Sequence, residues 1–220
     1  MRSTSVFAVT ALLLSAPVAR AKHSRVSIAS IGVFFDFESR PAQLAIDTME
    51  HEVGSIMRPA GLTFSWRELN NSQSHPSFAD LVVVKFKGTC GGTAAALPEP
   101  FNLTAEETTL ASTKTSDGHV LHFVDVYCDE LRRYLSPEAA PLTEKARDLL
   151  YGRALGRIVS HEMWHVFAGT EKHAASGVAR ACHSRQELVQ PKFFFDPKEE
   201  EVLREYAMRA LVSREANPEP

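Results

Sequence analysis

Apolar side chains recur at three- and four-residue intervals between residues 142 and 167, which predicts one long helix. The positions that define this periodicity are Ala146, Leu149, Leu150, Ala154, Leu155, Ile158, Val159 and Met163. Gly169 follows where a helix commonly ends in a left-handed glycine. Gly152 and Gly156, four residues apart, predict that the helix packs closely against a sheet. We therefore expect a long and largely buried helix.

The pattern ahead of this helix predicts a sheet. Runs rich in β-branched and aromatic residues predict strands at residues 25–35, 62–66 and 81–86. Two more predicted strands, residues 109–115 and 119–127, flank Asp117-Gly118, a dipeptide that favours a type I′ hairpin turn.

Helical spacing also predicts helices at residues 41–57 and 197–211, the first of them ended by Pro59-Ala60-Gly61. Residues 70–77 form a polar loop, and residues 91–107, which have no steady period, form a loop or a lid. The order of strand, helix, strands, hairpin and long helix predicts an α+β fold.

The first 21 residues have the three parts of a secretory signal peptide. Arg2 precedes an apolar run that is too short to span a bilayer, and the run ends in the small-x-small sequence Ala19-Arg20-Ala21. Cleavage after Ala21 leaves residues 22–220 as a single domain of 199 residues. We therefore expect a secreted or periplasmic protein, and no other stretch approaches membrane-spanning length.

Loss of Arg2 and Arg20 with the signal peptide changes the formal net charge from −3 to −5. This mild acidity, without any basic block, argues against a nucleic-acid-binding protein. We expect a monomer that has neither a nucleic-acid partner nor a membrane span.

Three cysteines in an exported chain predict one disulfide and one remaining thiol. Cys90 and Cys128 each follow a predicted strand and could bridge neighbouring loops, so this pairing is favoured and leaves Cys182 free. The alternative is that Cys182 is a thiolate metal ligand.

The end of the long helix carries the sequence H-E-x-x-H, formed by His161, Glu162 and His165. Residues four apart lie on the same helix face, so both imidazoles can reach one metal ion. Glu162 lies about 100° round the helix from His161, close enough to contact a water on that metal without being a ligand. This arrangement is typical of a zinc hydrolase.

A catalytic zinc ion needs a third protein ligand and one open position. His173 is favoured, because a turn at Gly169 can bring it back beneath the same ion. Glu187, His183 and Cys182 are the competing candidates. With three neutral imidazoles the ion keeps its full double charge, and Glu162 would act as the general base toward water.

The segment from His161 to His173 resembles the extended zinc motif of the metzincin metallopeptidases, with one residue added on each side of the glycine, giving H-E-x-x-H-x-x-x-G-x-x-x-H. It is more similar still to a group of secreted bacterial zinc proteases with this longer spacing. The likeness extends over roughly residues 80–210 and includes the hairpin and strand that end in Cys128-Asp129.

The resemblance implies a zincin-like fold, in which the active-site helix packs on a twisted mixed sheet. It implies one zinc ion held by His161, His165 and His173, and an endopeptidase that hydrolyses peptide bonds with Glu162 as the base. The edge strand that borders the cleft, here residues 109–115, would pair with an extended peptide substrate. The donor that stabilises the oxyanion stays open among Tyr151, Tyr206 and His183.

One position departs from the family pattern. Metzincins place a methionine below the metal, and the matching residue here is Ala179. One alternative is therefore a catalytically inactive zinc-binding or interaction protein that retains the zincin fold. Another is a zinc hydrolase that acts on a different amide.

Overall fold

Five strands form one mixed sheet in the structure, a computed structural model that describes residues 29–70, 78–90 and 108–216. The strands are β1 (Ala29–Ser39), β2 (Leu62–Glu68), β3 (Asp80–Thr89), β4 (Ala111–Ser116) and β5 (His119–Tyr127). Their order across the sheet is β2-β1-β3-β5-β4, and β4 alone runs antiparallel to its neighbour. The predicted signal peptide and the predicted loop at 91–107 lie outside the described residues, as do residues 71–77.

Six α-helices accompany the sheet among the described residues. They are α1 (Gln43–Met57), α2 (Cys128–Tyr134), α3 (Ser136–Ala139), α4 (Glu144–Ala168), α5 (Arg185–Val189) and α6 (Pro197–Ala216), with a 3₁₀ turn at Arg58–Ala60. None of these helices is both long and apolar enough to cross a membrane. The α+β fold, with a mixed sheet and a long helix that bears the motif, confirms the predicted class.

Alternate residues of the central strands face the helices and form the core. Ile31, Val33 and Phe35 on β1 are buried, as are Val82, Val84 and Phe86 on β3 and Val124 and Val126 on β5. This alternation is expected where one sheet face packs against helices, here α1 and α4. The hairpin prediction is also confirmed, because Asp117 and Gly118 both have positive φ, 50° and 77°, between β4 and β5.

Helix α4 begins two residues after its predicted start and ends, as predicted, at Gly169. The Thr143 side chain accepts a hydrogen bond from the Ala146 N–H, and Gly169 ends the helix in the left-handed conformation at φ 59°. The expectation that Gly152 and Gly156 face a sheet is wrong. A Cβ at Gly152 would lie 2.4 Å from the Ala45 carbonyl, and one at Gly156 would lie 2.8 Å from the Met49 carbonyl, so both glycines pack against α1.

The disulfide Cys90–Cys128 is present, with the two Cα atoms 4.7 Å apart, and Cys182 is a free thiol. This confirms the favoured pairing, which joins the end of β3 to α2. Cys128 begins helix α2 directly after β5 ends at Tyr127. Helix α2 escaped prediction because seven residues are too few to show a helical period.

Candidate metal centre

Three histidines converge at the end of α4. His161 and His165 lie on one face of its last turns, and the chain reverses at Gly169 to return His173 to the same place. One nitrogen from each ring can be chosen so that the three atoms lie within 4.8 Å of one another. The structure therefore brings together the three histidines that the sequence predicts as metal ligands.

The hydrogen bonds on the far side of two rings define their tautomers. His161 donates from Nδ1 to the Val178 carbonyl at 2.8 Å, and His165 donates from Nδ1 to the Thr170 carbonyl at 2.7 Å. In the neutral rings Nε2 then carries a lone pair and no proton. Burial lowers the pKa of His161 to about 3 and also lowers the pKa of His165, so both rings are neutral at neutral pH.

The two Nε2 atoms lie 3.2 Å apart, so two lone pairs face each other without a proton to share. A cation between them would relieve this repulsion. A tetrahedral zinc ion with Zn–N bonds of about 2.0–2.1 Å holds its nitrogen ligands about 3.3 Å apart. The donor type, the tautomers and this spacing therefore fit zinc.

Glu162 is buried beside the histidines. Its side chain accepts a hydrogen bond at Oε2 from the Thr113 hydroxyl of β4 at 2.7 Å. Burial raises the pKa of Glu162 to about 7, although the hydrogen bonds from Thr113 act in the opposite direction. A carboxyl group with such a pKa can both accept and return a proton near neutral pH.

A cleft of about 370 Å³ opens in front of these groups. Its walls combine the polar side chains of the centre with β4, with the loop that carries Cys182, and with apolar side chains such as Ile158, Leu188 and Val120. The face of α4 that carries His161 and His165 is thus accessible to a ligand from solvent, beside the edge strand of the sheet.

The competing ligand candidates lie outside the three-histidine group. Glu187 forms the capping box of α5 with Ser184 and pairs with Arg180. Cys182 and His183 both line the cleft, but neither belongs to the three-histidine group. The S-x-x-E spacing of Ser184 and Glu187 is a sequence signal that could have predicted α5.

Two of the three candidate oxyanion donors lie away from the centre. Tyr151 lines a small cavity beside the disulfide, and Tyr206 donates its hydroxyl to Asp80 at 2.6 Å. His183 is the candidate that lines the cleft. Its Nε2 lies 3.1 Å from the Val178 carbonyl and must donate to it, so the neutral ring has an acceptor, not a donor, at Nδ1.

The segment that carries Ala179 is a tight turn built on Gly177, which has φ 70°. A Cβ at Gly177 would lie 2.9 Å from the Phe194 carbonyl, so a side chain has no room there. Val178 and Ala179 are fully buried, and the Val178 carbonyl is the group that contacts His161. A backbone carbonyl thus supports the first histidine of the motif.

Together the fold and the centre define a mixed-sheet α+β protein with a three-histidine group at the end of an H-E-x-x-H helix. Among solved structures, the chain is similar to the crystal structure of archaemetzincin from Methanopyrus kandleri, with a TM-score of 0.46 and 13% identity. The similarity covers 86% of this chain and 98% of that chain. No protein-family model and no curated protein matches the chain.

Proposed function

We propose that the protein is a zinc-dependent endopeptidase. The observation that carries the proposal is the convergence of three imidazoles, two of them with facing lone pairs, beside a buried carboxyl group in an open cleft. His161, His165 and His173 would hold the ion. A bound zinc ion lowers the pKa of its water toward about 7 and polarises a carbonyl group.

The proton transfers in this proposal belong to Glu162. The Glu162 carboxylate, which Thr113 holds by a hydrogen bond at Oε2, accepts the proton of the attacking water. The carboxyl group then returns the proton to the nitrogen of the leaving amine, which completes the hydrolysis of the peptide bond. Burial of Glu162 supports this cycle because it raises the pKa of the carboxyl above its ordinary value.

The proposed substrate is an extended peptide that pairs with β4. Tyr127 donates its N–H to the Leu110 carbonyl at 2.9 Å, and main-chain groups alternate in direction along an antiparallel strand. The main-chain N–H and C=O groups of Ser112 therefore face β5, as the Leu110 carbonyl does, whereas those of Ala111 face the free edge. The Thr113 N–H also faces away from β5, and it interacts with the Glu162 carboxyl. An extended chain could form backbone hydrogen bonds at the free edge, next to Glu162.

Substitution of the base tests the proposal. We expect Glu162→Gln to bind zinc with the stoichiometry of the wild type and to lose cleavage of an unfolded protein substrate. Glu171→Gln is the matched control, because Glu171 is an exposed glutamate that lines the same cleft. A Glu162→Gln variant as active as wild type contradicts the assigned role. Wild-type protein that holds zinc but cuts no substrate at any pH favours the non-catalytic alternative.

We also propose that the protein acts after export. The support is the N-terminal sequence, whose small-x-small end predicts cleavage after Ala21. We expect the protein recovered from the periplasm or the medium to begin at Lys22. Recovery of the full chain from the cytosol alone would contradict export.

A further inference from the structure

We infer that His183 is a positioning residue for the metal ligand His161, and that it acts through the Val178 carbonyl. The inference deepens the proposed function and rests on it. Among the described residues, no hydrogen bond joins His183 to the three histidines or to Glu162. Its role follows from a hydrogen-bond acceptor, the Val178 carbonyl oxygen, that it shares with His161.

One carbonyl oxygen accepts from both rings. His161 Nδ1 lies 2.8 Å from the Val178 oxygen and His183 Nε2 lies 3.1 Å from it, and a carbonyl oxygen has two lone pairs to offer. The two rings meet edge to face, with their centroids 5.6 Å apart. His183 therefore fixes the direction of the carbonyl that orients His161, and a fixed ligand ring binds metal more tightly.

Phe193 and Tyr134 restrain His183. The ring of Phe193 meets the His183 ring at a centroid distance of 4.9 Å, and the guanidinium carbon of Arg157 lies 4.9 Å from the centre of the Phe193 ring. The buried hydroxyl of Tyr134 donates to the His183 carbonyl at 3.0 Å. Side chain and backbone of His183 are thus restrained separately.

Arg157 is a rigid support for this stack. Its side chain is fully buried and donates to Glu52 Oε1 at 2.7 Å and to the Glu187 and Gln190 carbonyls at 2.6 Å each. Arg157 lies one turn before His161 on α4. The same helix therefore carries the proposed ligand His161 and the arginine that packs on Phe193.

The test measures zinc affinity separately from activity. We expect His183→Leu to weaken zinc binding, in competition with a chelator of known affinity, by about 10- to 100-fold. We expect His183→Gln to restore most of the affinity, because its amide N–H can replace Nε2–H. His119→Leu, an exposed position on β5, should bind zinc like the wild type. The metal-free melting temperatures should differ little among these variants.

Two results overturn the inference: His183→Leu that binds zinc as tightly as wild type, or His183→Leu that loses stability without zinc yet keeps its affinity for the ion. If His183→Leu fails to fold, Phe193→Leu provides the test. Loss of the Phe193 ring should also weaken zinc binding, and an unchanged zinc affinity would refute the positioning role of His183. If the wild type does not bind zinc in this titration, the proposed function is refuted as well. If the wild type binds zinc and His183→Leu binds it equally tightly, only the role of His183 is refuted.

Discussion

Thr113 on the edge strand donates its hydroxyl to Glu162 on the motif helix, with 2.7 Å between Oγ1 and Oε2. The same hydroxyl lies 3.2 Å from the Glu162 main-chain carbonyl. One side chain therefore joins the strand proposed to bind substrate to the carboxyl group proposed to move the proton. The base is held relative to the strand, and so relative to any peptide that pairs with it.

Loss of this hydroxyl should slow catalysis and leave substrate binding intact. A hydrogen bond to a charged group contributes about 1.5–3 kcal/mol, so we expect Thr113→Val to lower kcat by about 10- to 100-fold with little change in KM. Thr113→Ser keeps the hydroxyl and should retain most of the activity. Equal kcat values for the valine and serine variants in steady-state peptide hydrolysis would exclude a role for this hydrogen bond.

The same pair of variants should differ in pH dependence. The hydrogen bond from the Thr113 hydroxyl favours the ionised form of Glu162, so its loss in Thr113→Val raises the pKa of this carboxyl further. Because the base must be ionised to accept a proton, the loss of kcat on acidification should begin at a higher pH in Thr113→Val than in Thr113→Ser. A shift in the opposite direction would contradict the assignment.

Proline substitutions distinguish the two edges of β4. Ala111→Pro removes an N–H that faces the free edge, so we expect a raised KM for extended peptides with the fold retained. Ser112→Pro removes an N–H that faces β5, so it should lower stability by breaking the ladder. Measurement of KM and of the melting temperature separates the two effects. If Ala111→Pro leaves KM unchanged, substrates do not pair with this edge at Ala111.

The motif helix and its histidines could be predicted because their signals are local. The apolar period, the stop at Gly169 and the return to His173 all fall within one continuous stretch. The contact of Thr113 with Glu162 joins residues 49 apart, and it depends on how β4 lies over α4. No periodicity in either segment contains that information.

Arg157 shows a different limit of sequence reasoning. A charged residue within a helix is normally exposed, yet this side chain is fully buried, because Glu52, 105 residues earlier, and two carbonyls near α5 supply its partners. The paired glycines are similar, since their spacing predicts a close approach but does not identify α1 as the neighbour.

Alanine substitutions should have opposite effects at two helical glycines. A Cβ at Gly156 would lie 2.7 Å from Glu52 Cβ and 2.8 Å from the Met49 carbonyl, whereas a Cβ at Gly54 meets nothing within 4 Å. Alanine gains about 1 kcal/mol of helix propensity at either site, but overpacking at Gly156 costs about 1–3 kcal/mol. We expect urea unfolding to show Gly54→Ala more stable than wild type and Gly156→Ala less stable. Stabilisation by both would disprove close packing of α1 on α4.

Asp80 joins α6 to the sheet through two partners. Tyr206 donates its hydroxyl to Oδ2 at 2.6 Å, and His122 Nδ1 lies 2.9 Å from the Leu81 carbonyl oxygen and 3.2 Å from Oδ1 of Asp80. Burial raises the pKa of Asp80, but the hydrogen bonds from His122, Tyr206 and the Leu81 N–H, together with the charge of His122, outweigh burial and lower the pKa overall. The hydrogen bond and the charge of Asp80 raise the pKa of His122 above its ordinary value of 6.5, against the effect of burial.

These opposite shifts set the pH range in which the ion pair stabilises the fold. The His122 contribution is complete below its unfolded pKa of about 6.5 and is lost as pH rises through the higher folded pKa. The Asp80 contribution is present above its unfolded pKa of about 3.9 and is lost as pH falls through the lower folded pKa. We expect His122→Asn, which keeps a donor but cannot ionise, to be less stable than wild type near pH 5.5. The difference, no more than about 1 kcal/mol for so exposed a pair, should shrink toward pH 8.5. Urea unfolding of the metal-free proteins measures it, with His119→Asn as the control, and a difference that stays constant with pH would show that His122 does not titrate against Asp80.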